Sequence, residues 1–180
     1  INKLIGVDNL NSYYDVNIKK DRLKQLKKNK KIFFYKYDIN NNLKLNRLIR
    51  NYKIEIIIHL AAQAGVRYSI TNPNKYFDSN IRGFYNVLEL SRKNKIKHLL
   101  LASTSSVYGD CKKFPIKEEF DTDKPLSFYA ATKKSNEVMA YSYSNIYKLP
   151  ITIMRFFTVY GPFGRPDMAL FKITKSIFSK

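Results

Sequence analysis

Tyr129 and Lys133 stand four residues apart in the run Ser127-Phe128-Tyr129-Ala130-Ala131-Thr132-Lys133. On a helix that spacing puts both side chains on one face. Upstream lies a hydroxyl cluster, Ser103-Thr104-Ser105-Ser106, followed by Val107-Tyr108-Gly109. Together these groups can form a proton-transfer device. A free phenol has a pKa of about 10 and is a poor base at neutral pH. An ammonium fixed ~4 Å away, in an effective dielectric of ~20, favours the phenolate by about 4 kcal/mol. That is about three pKa units, enough to bring a phenol near 7. A base of that strength is what removal of an alcohol proton requires. A Tyr and a Lys four apart also arise by chance on amphipathic helices, so the hydroxyl cluster gives the pair its weight.

The elements that must position these groups alternate along the chain. Leu4–Val7 reads as a short apolar strand ending at Asp8, and 15–30 as a polar, mostly solvated helix. The segment 32–37 is rich in β-formers and ends at Asp38. Leu45, Leu48, Ile49 and Tyr52 recur at helical spacing, which predicts an amphipathic helix over Asn42–Tyr52. The run 54–60 is nearly continuous and apolar, as expected of a parallel strand buried on both faces. A helix is predicted over about 76–93, a strand over 98–102, a helix over 129–147 and a strand over 151–156. A Gly/Pro loop, Gly161 to Pro166, leads into a last helix. This alternation predicts an α/β fold, a Rossmann-like doubly wound parallel sheet. In such sheets ligands bind at the carboxyl ends of strands. Asp8, Asp38, Ala61-Ala62, Ser103–Ser106 and Thr158 all follow or close predicted strands.

None of the six glycines forms the Gly-rich turn that normally opens a dinucleotide-binding sheet. The fold is therefore expected to lack its first strand and Gly-rich loop. The chain reads as an internal fragment: 1–165 as a truncated dinucleotide-binding domain, 166–180 as the start of a substrate-binding region. A net charge of +19 invites a nucleic-acid reading, but no binding motif accompanies it. The excess of Lys, Asn and Ile marks it as compositional, and nucleic acid is not an expected partner. No apolar run approaches the ~20 residues of a membrane-spanning helix. A single cysteine, Cys111, excludes an internal disulfide and fits a reducing, cytoplasmic compartment. His59 and His98 lack Cys or His partners at ligand spacing, so no metal is expected.

The chain resembles the extended short-chain dehydrogenases/reductases that act on nucleotide sugars, in particular the UDP-glucuronate 4-epimerases. The blocks that carry the resemblance are 7–11 (Val-Asp-Asn-Leu-Asn), 59–69 (from His59 through Ala61-Ala62-Gln63 to Ser69), 103–109, 129–133 and 155–162. The block Gly164-Arg165-Pro166-Asp167-Met168-Ala169 points to the uronate branch.

The resemblance implies NAD as cofactor and a UDP-sugar as substrate. Tyr129 would serve as base and acid at the sugar 4-hydroxyl. Lys133 would lower its pKa and bond the nicotinamide ribose, and Thr104 would share the 4-oxygen. Asp8, assisted by Asn9 and Asn11, would take the adenosine ribose hydroxyls, and Asp38 with Ile39 would border the adenine. Leu60, Ala61, Ala62 and Gln63 would touch the cofactor, Phe157 would pack near the nicotinamide, and Asn80 would brace the sheet or the cofactor. Arg67, Ser105, Ser106, Thr158 and Arg165 would join Thr104 and Tyr129 on the substrate.

The implied reaction is transient oxidation at C4: hydride passes to NAD, the 4-ketone turns over, and hydride returns to the opposite face. A 4,6-dehydratase needs an extra acid and base, commonly Asp-Glu after the Ser/Thr, and here Thr104 is followed by Ser105-Ser106. A UDP-glucuronate decarboxylase, another NAD-dependent sugar-nucleotide epimerase or dehydratase, and a non-catalytic product of a truncated gene are the alternatives. As a fragment the chain is expected to be inactive alone. Phe84, Tyr85, Tyr141, Tyr143 and Tyr147 lie beyond a single apolar stripe. Relatives pair these helices across a two-fold axis, which implies a homodimer of the parent.

Overall fold

The computed structural model describes residues 3–179, and among them five strands and seven α-helices alternate. The chain divides into two compact units. The first takes the chain up to Asp38 and again from Thr158 onward; the second is Ile39–Phe157.

In the first unit β1 (Leu4–Val7) pairs in parallel with β2 (Ile32–Tyr35), Leu4 opposite Ile32 and Val7 opposite Tyr35. Helix α1 (Val16–Leu26) connects them. It ends four residues short of the predicted 15–30 and buries none of its residues, as its polar sequence implies. Asp15 caps it by accepting the Asn17 N–H. Helix α7 (Ala169–Phe178), the last, also buries none of its residues.

The second unit carries the core. Helix α2 (Asn42–Tyr52) has the predicted bounds and buries Leu45 and Leu48. Strands β3 (Ile56–His59), β4 (His98–Thr104) and β5 (Ile151–Phe156) form a parallel sheet in that order. The neighbour relations in the two sheets are those that the order 3-2-1-4-5-6 gives its second to sixth strands. Helices α5 (Gly83–Lys93) and α6 (Phe128–Tyr147) supply Phe84, Val87, Leu88 and Ala140 to a core shared with Leu99 and Leu101 of β4.

The 54–60 run departs from expectation. Ile56 and Ile58 are each 56% exposed, while Ile57 packs on the core and His59 is buried. Side chains alternate between the faces of a strand. Here β3 is the edge of its sheet, and the core of α5 and α6 covers one face.

Two helical features were not legible in the pattern. A short helix α3 (Val66–Thr71) follows Gly65. The predicted 76–93 helix is composite: α4 (Pro73–Tyr76), a π-helical stretch Phe77–Arg82, then α5. Such π stretches carry an extra residue per turn and are frequent at functional sites. Gly83 follows it, and a Cβ there would meet the Ile39 side chain, which would have to shift to admit it. No helix among the described residues is long and apolar enough to cross a membrane.

Candidate active site

Strand β4 continues two residues beyond the predicted end, so Ser103 and Thr104 are its last residues and both are buried. A 3₁₀ turn, Ser105–Tyr108, follows at once. Thr104 closes this turn: its hydroxyl accepts the Ser106 N–H at 3.2 Å and donates to the Ser106 hydroxyl at 3.3 Å. Ser105 and Ser106 are half-buried beside it.

Ser127 caps α6 by accepting the Ala130 N–H at 3.1 Å, which starts the helix just before Tyr129. Tyr129 is half-buried and meets the Tyr76 ring edge-on at 6.1 Å. Lys133 is one turn further along and 2% exposed. Its burial pulls the ammonium pKa down to about 8, against the opposing pull of Glu137. An amine with a pKa near 8 is roughly nine-tenths charged at pH 7. Burial thus works against the charge that the Tyr/Lys spacing calls for, and Glu137 works for it. His59 ends β3 under this site. It is stacked on Phe84 at 5.2 Å, and burial, aided by the Lys133 charge, drops its pKa to about 3. It is a neutral core residue.

Asn80 lies in the π-helical stretch and is buried. Its Oδ1 accepts the Gln63 N–H at 2.8 Å, and its Nδ2 donates to the Gln63 carbonyl and to Thr132 Oγ1, each at 3.0 Å. Asn80 therefore braces the strand-end segment Leu60–Gln63 onto α6, beside Lys133. Gln63 is buried, Ala61 and Ala62 are half-buried, and Leu60 is 63% exposed. Phe157, just past β5, is exposed, as is Arg67 on α3.

Apart from Ile39, the other candidates lie in the first unit. Asp8 follows β1 and is exposed; its Oδ1 accepts the Leu10 N–H at 2.6 Å. Asn9 accepts the Asn11 N–H and donates to Asp38 Oδ2 at 2.9 Å. Asn11 accepts the Tyr13 N–H and the Lys19 ammonium. This loop is a chain of side-chain turns that leaves the Asp8 carboxylate at the strand end. Ile39, at the start of the second unit, packs against α5 at Gly83. Thr158 is exposed. Arg165 makes a two-point ion pair with Asp167, both contacts 2.9 Å. Burial works to raise the Asp167 carboxyl, but the bonds and charge of Arg165 outweigh it and hold the pKa below the usual value.

Sequence reasoning missed one group. Glu137 is buried on α6 and accepts the Ser103 hydroxyl at 2.5 Å. It also takes both ends of the Arg155 fork, at 3.1 and 2.9 Å. Arg155 in turn donates to the Tyr108 hydroxyl and the Glu118 carbonyl, and its guanidinium lies 4.9 Å from the Tyr108 ring centre. The available signal was the spacing Tyr129, Lys133, Glu137, a continued i, i+4 face. Among the described residues no group of three His, Cys, Asp or Glu side chains is placed to hold a metal ion.

The arrangement supplies a phenol, a buried cation and a strand-end hydroxyl, the parts of a proton shuttle at an alcohol. Comparison with known proteins identifies what the chain is similar to. A family model described as GDP-mannose 4,6 dehydratase matches residues 2–179. The protein named CapI of Staphylococcus aureus is 55% identical over 174 residues, 97% of this chain and 52% of that protein. A UDP-glucuronate 4-epimerase of Thermodesulfobacterium geofontis is 49% identical over 177 residues, 98% of this chain and 54% of its own length. The crystal structure of UDP-glucuronic acid 4-epimerase from Bacillus cereus, with UDP-glucuronic acid and NAD, superposes at a TM-score of 0.91 with 34% identity. That match covers 98% of this chain and 55% of the other. The chain spans about half the length of the curated relatives it matches. Because that family model matches nearly its whole length, the chain belongs to the GDP-mannose 4,6 dehydratase family, the epimerases and dehydratases of the extended short-chain dehydrogenase/reductase kind.

Proposed function

We propose that the protein of which this chain forms the matched part is an NAD-dependent 4-epimerase interconverting UDP-glucuronate and UDP-galacturonate. The observation that carries this reading is Lys133, buried one turn from Tyr129 on α6, with Thr104 ending β4. Bound NAD supplies the hydride acceptor and donor at C4. The residues present fit it: an exposed strand-end carboxylate at Asp8 suits the ribose hydroxyls, with Asn9, Asn11, Asp38 and Ile39 on the adenosine side. Leu60, Ala61, Ala62, Gln63, Asn80 and Phe157 serve the nicotinamide side, Asn80 through its brace on Gln63.

Tyr129 takes the proton of the sugar 4-hydroxyl and later returns it. Lys133 favours the phenolate by its charge, and Thr104 shares the 4-oxygen. The substrate carboxylate and phosphates need donors, because a buried anion without partners costs several kcal/mol. Thr104, Ser105, Ser106, Thr158 and Arg67 are the donors, with Arg165 once it exchanges its Asp167 partner. The domain division proposed is an NAD-binding part over 1–165 and the start of a substrate-binding part over 166–180.

A homodimer through α5 and α6 is part of this reading. Of the five residues expected on that surface, Phe84 is core, and Tyr143 is half-buried and donates to Glu89 at 2.8 Å. Tyr85, Tyr141 and Tyr147 remain exposed, joined by Val138 and Ile146. Light scattering of the natural-length protein at micromolar concentration should give twice the monomer mass; a monomer would count against the pairing.

The substrate assay is turnover of the natural-length protein on UDP-glucuronate and UDP-glucose side by side. A preference of about a thousandfold for the uronate is expected, since two or three charge-assisted hydrogen bonds contribute ~1.5–3 kcal/mol each. Equal efficiency would point to a neutral-sugar epimerase. Pentose with released carbon dioxide would point to a decarboxylase.

A further inference from the structure

We propose that Glu137 is a positioning residue: clamped by Arg155, it holds the strand-end hydroxyls in register with α6 and keeps the Lys133 ammonium in place beneath Tyr129. This rests on the reading of Tyr129 and Lys133 as the reacting pair. It adds a residue that touches neither substrate nor cofactor in that reading.

The geometry makes Glu137 the meeting point of four segments. From β4 comes the Ser103 hydroxyl, next to Thr104. From β5 comes the two-point contact of Arg155. Through Arg155 come the Tyr108 hydroxyl, which ends the turn holding Ser105 and Ser106, and the Glu118 carbonyl of the following loop. Glu137 itself lies on α6 two turns beyond Tyr129 and one beyond Lys133. Both flanks of the hydroxyl cluster are therefore tied to the helix that carries the phenol and the cation.

The clamp also sets the charge around Lys133. The groups that bear on it are Tyr129 and Glu137 of its own helix, neutral His59 from β3, and Arg155 of β5 behind the carboxylate. Of these, Glu137 favours the ammonium against burial. A lone carboxylate buried one turn from a lysine would capture it in a direct pair and draw it away from the phenol, or would take up a proton. Arg155 engages both carboxylate oxygens. The carboxylate that favours the Lys133 ammonium is thus engaged at both oxygens by Arg155 rather than paired with the lysine. Geometry of this kind belongs to the arginine fork and would be lost with lysine.

The test reads the proton on Lys133 directly. In the natural-length protein labelled with ¹³C at the lysine ε-carbon, the Lys133 signal is assigned with Lys133→Arg and titrated by NMR. Glu137→Gln keeps the shape and removes the charge. It should lower the Lys133 midpoint by about one unit or more, as loss of an opposite charge ~4–6 Å away does. Arg155→Gln frees the carboxylate and should move the midpoint upward. Melting curves establish that each variant is folded, and either variant alone decides the matter if the other does not fold. A purely structural role changes melting in both and the midpoint in neither. A midpoint unmoved in folded Glu137→Gln, or an unmoved or lowered one in Arg155→Gln, overturns the proposal. Because the readout is a protonation and not turnover, wild-type protein that fails to epimerise would sink the functional reading and leave this one standing. An unmoved midpoint in an active enzyme would do the reverse.

Discussion

The polar groups around Glu137 and those around Asp8 are satisfied in opposite ways. Beside Asp8, most partners are two residues along the chain, Asp8 with Leu10, Asn9 with Asn11, Asn11 with Tyr13 and Asp15 with Asn17, although Asn9 also reaches Asp38 and Asn11 also takes Lys19. Around Glu137 they are far apart in sequence: Ser103, Arg155 and, through Arg155, Tyr108 and Glu118. The first kind forms wherever Asp and Asn meet a turn. The second exists only once the core has brought β4, β5 and α6 together. The loop beside Asp8 is therefore a local motif, while the machinery around Lys133 depends on the second unit's packing.

The largest test of this contrast strikes the core. Phe84 is fully buried and lies under His59. Phe84→Ala should destabilise the second unit by about 3–5 kcal/mol. Calorimetry should find this loss, and the Lys133 NMR midpoint should move toward that of free lysine. A loss below 1 kcal/mol would mean that the packing does not hold the site.

Tyr129→Phe comes next. It leaves the half-buried ring and its Tyr76 contact in place and removes only the hydroxyl. Turnover of the natural-length protein should fall by at least ~100-fold with substrate binding little changed. A near-normal rate would show that another group is the base.

A carboxylate held by a local ion pair and by one long-range hydroxyl should also make the second unit acid-sensitive. Glu89 on α5 is held down to about 2, chiefly by its hydrogen bond to Arg92, with the Tyr143 hydroxyl of α6 adding to it. A carboxyl with a depressed folded pKa contributes stability that is full above about 4.5 and is lost as pH falls toward 2. Stability measured by denaturant titration from pH 5 to 2 should fall less steeply in Glu89→Gln than in wild type. Parallel slopes would remove Glu89 from the account.

The smallest effect is expected in the local motif. Asp15→Ala removes the cap of α1 and should cost about 1 kcal/mol, while Leu26→Ala, more than half exposed at the end of α1, should stay within ~0.5 kcal/mol. Hydrogen exchange should report the cap loss within α1 and leave α6 untouched. Protection lost across both helices would erase the distinction between local and long-range order.

Much of this protein follows from its sequence alone. Periodicity located α2 to the residue and β1 and β5 as well, because amphipathic and β-branched runs encode short-range geometry. The Tyr129/Lys133 spacing is likewise a helix-surface fact. Only the tertiary structure decided which face of β3 is covered, and so why Ile56 and Ile58 face outward from a run that reads as buried. Only it brought Asn80 onto Gln63 and Thr132, and Arg155 onto Glu137. Those contacts join residues 17 to 52 positions apart, beyond the reach of any periodic signal. The charge on Lys133 was settled at the same level. Spacing supplies the lysine, but how strongly it holds its proton depends on how much water the fold excludes and on which carboxylate it leaves nearby.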